Sequence, residues 1–188
     1  MVRVRLIERF ISSAQASGAE VVRLTGTDEA LGFVLSFLEE SGRPSLVVSP
    51  EVLDQLAGAA SLASPLPQTR EEWMRTEVSL VRADYGLART GTLVHLDRSE
   101  EERLSWTLAS ACLCLLSTES IVDGAEELAP VLAAHLGRRD LLSPAVSLVT
   151  GPSRTADIEG QLICGVHGPK RLIILLLNAS TSPTDENA

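Results

Sequence analysis

The chain has 188 residues, 45% of them hydrophobic and 22% charged, which is enough for one well-buried core and short for two. A formal net charge of −9, a single lysine (Lys170) and an aromatic share of 3% remove both the basic track and the stacking platforms of a dedicated nucleic-acid binder. The longest apolar run, Leu172 to Leu177, is far below the roughly 18 residues of a membrane span, and Arg3, Arg5 and Arg9 lead into no signal-peptide apolar segment, so a cytoplasmic protein is expected.

From Arg3 to Ser17, Ile7, Phe10, Ile11 and Ala14 follow helical spacing, and Gly18 stands where a left-handed residue ends a helix. Ala19 to Leu24 reads as a strand. Thr27 then caps a helix carrying Leu31, Val34, Leu35 and Leu38, which stops before Gly42. Leu46 to Val48 suits a strand covered on both faces, and Pro50 opens a short helix through Leu56. Ala59 to Gln68 reads as loop or edge, and Arg70 to Arg75 as a helical turn. A strand at Val78–Val81, a short helix at Ala83–Arg89 closed by Gly91, and a strand at Thr92–Leu96 come next. Ser99 caps a helix over Glu100–Leu108, and Ala111 to Leu116 is again strand-like. Asp123 to Leu136 is helical, with Pro130 either kinking that helix or starting a second. A strand at Ala145–Val149, a helix at Ser153–Cys164 and a buried strand at Leu172–Leu177 complete the reading, with residues 178–188 a polar tail after one domain over 1–177. Apolar strands alternating with helices argue for a three-layer α/β fold with a mostly parallel sheet, in which ligands sit at the carboxyl ends of strands.

The densest chemistry lies in Thr150 to Glu159. A helix opening there would aim free N–H groups at an anion, Gly151 would allow close approach, Ser153 and Thr155 would add hydroxyls, and Arg154 would add a fork for a carboxylate or phosphate. Asp157 and Glu159 are candidate catalytic carboxylates; the plainer alternative makes Ser153 or Thr155 a cap, with Asp157 and Glu159 complementing the helix dipole. Thr90, Gly91 and Thr92 form a second candidate binding stretch beside Arg89 and Arg82, or simply a helix C-cap. In Gly165 to Pro169, His167 is the candidate proton donor and Gly168 a candidate binding glycine, while His95 and His135 read as ordinary. The three cysteines, Cys112, Cys114 and Cys164, contain no Cys-x-x-Cys pair, so neither a metal site nor an iron–sulfur cluster is expected in this chain. The absence of a P-loop, of Gly-x-Ser-x-Gly and of Gly-x-Gly-x-x-Gly excludes three common catalytic designs. An acidic chain must attract an anion locally, through residues such as Arg154.

Ala83-Asp84 with Ala88-Arg89-Thr90-Gly91-Thr92-Leu93, then Gly151-Pro152-Ser153-Arg154-Thr155-Ala156-Asp157-Ile158-Glu159, then Gly165-Val166-His167-Gly168-Pro169 together resemble the lactate-utilisation protein C family, the LUD-domain proteins. The resemblance is carried by motif from about Val78 onward. It implies a fold like that of the sugar-phosphate isomerase, CoA-transferase and formyltetrahydrofolate cyclo-ligase superfamily. It also implies a role in oxidising L-lactate to pyruvate beside partner subunits that carry iron–sulfur clusters, this chain being the cluster-free component. The other readings are a stand-alone superfamily enzyme acting on a phosphorylated or CoA-linked metabolite, and a non-catalytic assembly module. Two departures stand out: Arg89 replaces the acidic residue common before Thr-Gly-Thr, and Thr107-Leu108-Ala109 lies where Leu-Leu-Pro is usual.

Overall fold

The computed structural model describes residues 2–42, 44–56, 58–142, 144–158, 161–165 and 168–178, with 155–158 and 161–164 described by backbone alone. Helix α1 (Val2–Ala16) turns Phe10, Ile11 and Ala14 inward, and Gly18 ends it at φ +91°. Strand β1 (Glu20–Leu24) leads into α2 (Thr27–Glu40), where Gly26 takes the cap position expected of Thr27 and makes no side-chain bond. The Glu29 carboxylate instead accepts the Thr25 N–H at 2.7 Å.

Next come β2 (Leu46–Val48), α3 (Pro50–Leu53) and α4 (Ala59–Leu62), the last a helical turn within the expected loop. Helix α5 (Arg70–Met74) is closed by a capping box between Thr69 and Glu72. Strands β3 (Val78–Arg82), β4 (Tyr85–Leu87) and β5 (Thr92–Asp97) precede α6 (Glu100–Thr107), which Ser99 caps as expected. Then follow β6 (Ala111–Ser117), β7 (Ile121–Val122) and α7 (Ala129–Leu136). Pro130 lies in the first turn of α7 and follows a 3-10 turn over Ala125–Leu128, so it starts a second helix instead of kinking one. Strands β8 (Ala145–Val149), β9 (Arg154–Ile158), β10 (Gln161–Cys164) and β11 (Arg171–Leu177) complete the described elements.

Among the described residues, β1, β11, β6, β3 and β2 form one parallel sheet in that order, and β7, β4, β5 and β8 form a second, mixed sheet. Alternate residues of the central strands supply two cores. Leu80, Leu113, Leu115, Ile173 and Leu175 pack with α2, α3 and α4. Val81, Cys112, Cys114, Leu116, Ile174 and Leu176 pack with α1, with Trp106 of α6 and with the second sheet. Burial on both faces explains why these strands read as unbroken apolar runs, each fully buried Leu or Ile contributing about 1.5–3 kcal/mol. The result is the expected mostly parallel α/β sheet with helices on both faces.

Two expected helices are hairpins. Residues 83–89 contain β4, which pairs antiparallel with β5 through the turn at Gly91. A left-handed glycine serves a hairpin loop as well as a helix end, which is why the stretch misled. Gly86 lets β4 pack closely on the core, because a Cβ there would press on Phe10 and Leu116. The expected helix at Ser153–Cys164 is the antiparallel pair β9 and β10. Thr155, Ala156, Asp157 and Ile158 alternate polar and apolar, the period-two signature that the wider helical spacing of Ile158 and Leu162 obscured.

Candidate functional site

All five strands of the parallel sheet end on the same side, where backbone groups and loop side chains are free to meet a ligand. A cavity of about 300 Å³ opens there. Its wall is Arg82, Ala83 and Asp84 at the end of β3, Ser117 and Ser120 after β6, and Asn178 after β11. Thr27 and Gln55 close it from the helical side.

Asp84 is the pivot of this wall. Its main chain is fixed by donation to the Val94 carbonyl at 2.9 Å, a consequence of the β4–β5 hairpin. Its Oδ1 accepts from Arg82 Nη2 at 2.9 Å and from Arg98 Nη2 at 3.0 Å, and its Oδ2 accepts the Leu96 N–H at 2.8 Å. His95 Nδ1 lies 3.2 Å from the same Oδ2, off the line a hydrogen bond prefers, so the contact is an ion pair first.

Behind Asp84 the chain buries more charge. The His95 side chain is fully buried, with Nε2 3.3 Å from Glu102 Oε2 and 3.7 Å from Asp97 Oδ1. Glu102 also accepts the Arg98 N–H at 2.8 Å, and Asp97 accepts the Ser147 hydroxyl at 2.7 Å. Ser49 donates to Glu51 at 2.5 Å. Trp106 lies against the imidazole with ring centres 5.4 Å apart.

Burial alone would pull the His95 pKa down, but the close carboxylates of Asp84 and Glu102 outweigh it and raise it to about 9. Burial opposes ionisation of Asp84 too, and is overcome by His95, the Leu96 N–H and Arg98, which hold the carboxyl well below its usual range. Glu102 is lowered against the effect of burial, chiefly by its bonds to His95 and the Arg98 N–H. Glu51 goes the other way, because burial dominates and raises its pKa. Among the described residues, Arg82 Nε, Arg98 Nη1, Glu51 Oε2 and Asp97 Oδ1 are buried without a hydrogen-bond partner, as are Ser79 Oγ, His95 Nδ1 and Trp106 Nε1. Among the described residues, no group of His, Cys, Asp and Glu is arranged to hold a metal ion.

The sequence motifs converge elsewhere, around the C-terminal end of α1. Gly91 at φ +67° and Gly151 at φ +68° both press on it: a Cβ on Gly91 would collide with the Ala14 backbone, and one on Gly151 with the Ser17 carbonyl. Thr90 and Thr92 share a hydroxyl hydrogen bond of 2.7 Å, and Thr92 shares another of 2.7 Å with Thr150. The Arg154 guanidinium lies over Gly18. Ser153 donates its N–H to the Pro169 carbonyl at 2.9 Å, accepts from Gly165 at 2.9 Å, and its side chain packs on Gly168.

The structure therefore joins the predicted residues Thr90, Gly91, Thr92, Gly151, Ser153, Arg154 and Gly168 into one patch at the amino side of the sheet. No helix begins there to supply a dipole, since Arg154 opens strand β9. Thr155 and Asp157 lie on β9 by backbone, and Glu159 and His167 fall outside the described residues. Arg89, the departure from the family pattern, pairs with Asp123 and Glu126, so its charge is balanced locally.

What the motif reading missed is His95 with Asp97, Arg98 and Glu102. The available signal was strand β5 itself, where His95 and Asp97 stand two apart and so share one face with the buried Leu93.

The LUD domain matches this chain over residues 7–177. The chain belongs to the LUD-domain family. Among the relatives of this LUD chain, Lactate utilization protein C of Bacillus pumilus is 27% identical over 92% of this chain and 78% of its own length. Lactate utilization protein C of Geobacillus kaustophilus is 28% identical over 55% of this chain, a match spanning 43% of that relative. The chain thus spans less than half of some of the relatives it matches. A crystal structure of a DUF162 family protein from Deinococcus radiodurans superposes with a TM-score of 0.65 at 19% identity, covering 94% of this chain and 99% of that one. That likeness supports the LUD fold described above.

Cys112 and Cys114 are fully buried on β6, and burial pushes the Cys112 thiol up to about 12 and raises Cys114 as well. Cluster ligation needs thiolates within reach of the metal, so these two do not fit it. Among the described residues, no helix is long and apolar enough to cross a membrane.

Proposed function

We propose that this chain is a component of a lactate-utilisation system and holds a small carboxylate, L-lactate or pyruvate, at the carboxyl edge of its parallel sheet with Arg82 as the anchoring cation. The observation that carries the reading is the Arg82 guanidinium. It lines the cavity, and Asp84 holds it in place through Nη2. Such a fork suits a carboxylate, and the Ser117 and Ser120 hydroxyls at the same wall suit a neighbouring hydroxyl or keto oxygen. A volume of about 300 Å³ fits a three-carbon acid with its water and is small for a CoA-linked substrate. The name carried by relatives from Bacillus and Geobacillus supports lactate as the substrate class.

Oxidising L-lactate to pyruvate releases two electrons and two protons, which require an acceptor. In this reading the electrons pass one at a time to iron–sulfur clusters on partner subunits and the protons to solvent, since Cys112 and Cys114 are unsuited to ligate a cluster, and this chain binds and orients the acid. Deleting the gene should abolish growth on L-lactate as sole carbon source. A wild-type copy should restore growth and an Arg82→Ala copy should not. Undiminished growth of the deletion strain, in a host whose iron–sulfur subunits are required, would overturn the reading.

A further inference from the structure

We propose that Asp84 and His95 are a positioning pair for Arg82, and that the cavity takes a small carboxylate well only while His95 carries its proton. The inference rests on the reading of Arg82 given above. Asp84 is one carboxylate shared by three cations: Arg82 at 2.9 Å, Arg98 at 3.0 Å and His95 at 3.2 Å. With the Leu96 N–H at 2.8 Å, both oxygens are fully engaged, so Asp84 sets where the Arg82 fork points and has little capacity left to hold it more tightly.

The charged groups around His95 come from every element packed on it. Asp84 follows β3, Asp97 is on β5, Arg98 follows β5, Glu102 is on α6 and Glu51 is on α3. Three cations, counting Arg82, face four carboxylates, so the loss of the imidazolium charge deepens an existing excess of negative charge beside the anion site. Asp84, released from His95, would also draw more heavily on Arg82. Both effects oppose a bound carboxylate. His95 cannot touch the ligand, because its side chain is fully buried, so it acts through Asp84 and through the local potential.

The experiment is calorimetric titration with pyruvate from about pH 6 to about pH 9.5 on the intact chain. The wild type should bind with nearly constant affinity at neutral pH and lose about threefold to fourfold at the alkaline end, where roughly a quarter of the His95 side chains still carry the proton. His95→Gln, checked by circular dichroism for its fold, should bind weakly at neutral pH and show no alkaline loss. As a readout on the unaltered protein, the His95 imidazole should be followed by NMR. Saturating pyruvate should move its titration midpoint upward by the logarithm of the affinity ratio, as reciprocity requires. Wild-type affinity in a folded His95→Gln protein, an alkaline loss that persists in it, or an unmoved midpoint in the wild type would each overturn the pair. Pyruvate binding unaffected by Arg82→Ala would instead overturn the reading of the site on which the pair depends.

Discussion

Raising the pH should weaken the fold through His95 before any other described group responds. An imidazole that titrates near 6.5 in the unfolded chain is held at about 9 in the folded one. The folded state therefore binds that proton more tightly, and the stabilisation it brings is complete below 6.5 and lost as pH rises through 9. Between those limits stability should fall by ~1.4 kcal/mol per pH unit, about 3 kcal/mol in all. That is a large part of the 5–15 kcal/mol typical of a domain. The raised Cys112 and Cys114 thiols add a second decline only above the ordinary thiol value of about 9, so the clean window lies below it. Urea unfolding at constant ionic strength should show ~2 kcal/mol lost between about pH 7 and about pH 8.5 in the wild type. His95→Gln should start lower, because it leaves Asp84 and Glu102 short of a cation, and should be flat across the same window. A flat wild-type profile, or the same slope in both proteins, would refute the argument that these carboxylates hold the imidazole charged.

On the acid side, Asp84 and Glu102 have depressed pKa values, so their stabilisation should disappear as pH falls through the carboxylate range, as acid titration of near-UV circular dichroism would show; the raised Glu51 opposes that trend. Gly91→Ala must place an L-residue at φ +67° and drive a Cβ into the Ala14 backbone, so it should lose at least about 1–2 kcal/mol, with a Tm lower by several degrees in a thermal scan. Ser147→Ala removes the hydroxyl hydrogen bond to the fully buried Asp97 carboxylate and should cost roughly 1–3 kcal/mol in denaturant unfolding. Alkylation mapped by mass spectrometry should leave Cys112 and Cys114 unmodified in the native protein and modify both in urea, because burial keeps them protonated and covered.

The parallel core was legible in the sequence because burial on both faces of β2, β3, β6 and β11 writes itself as unbroken apolar runs. The two hairpins were not. Gly91 and Gly151 carry left-handed dihedrals that serve turns and helix ends alike, and only the tertiary contact with α1 tells them apart. The candidate site was half legible. The rule that ligands meet the carboxyl ends of parallel strands pointed to the edge where the cavity opens, and Asp84 was among the motif residues. Hydroxyls and an arginine gathered in a short glycine-rich stretch drew attention to Arg154, whereas the charge that converges in space is spread from Glu51 to Glu102. His95 reads as an ordinary strand residue until the fold sets Asp84, Asp97 and Glu102 around it. Distances across the β4–β5 hairpin cannot be read from spacing once that segment is taken for a helix.

The most direct measurement is calorimetric titration of L-lactate and pyruvate into the wild-type chain, Arg82→Ala and Arg154→Ala under one buffer condition. One site per chain, lost in Arg82→Ala and kept in Arg154→Ala, is the expected result. Binding that survives Arg82→Ala, or that disappears only with Arg154→Ala, would contradict a carboxylate site at the carboxyl edge and move it to the motif patch beside helix α1.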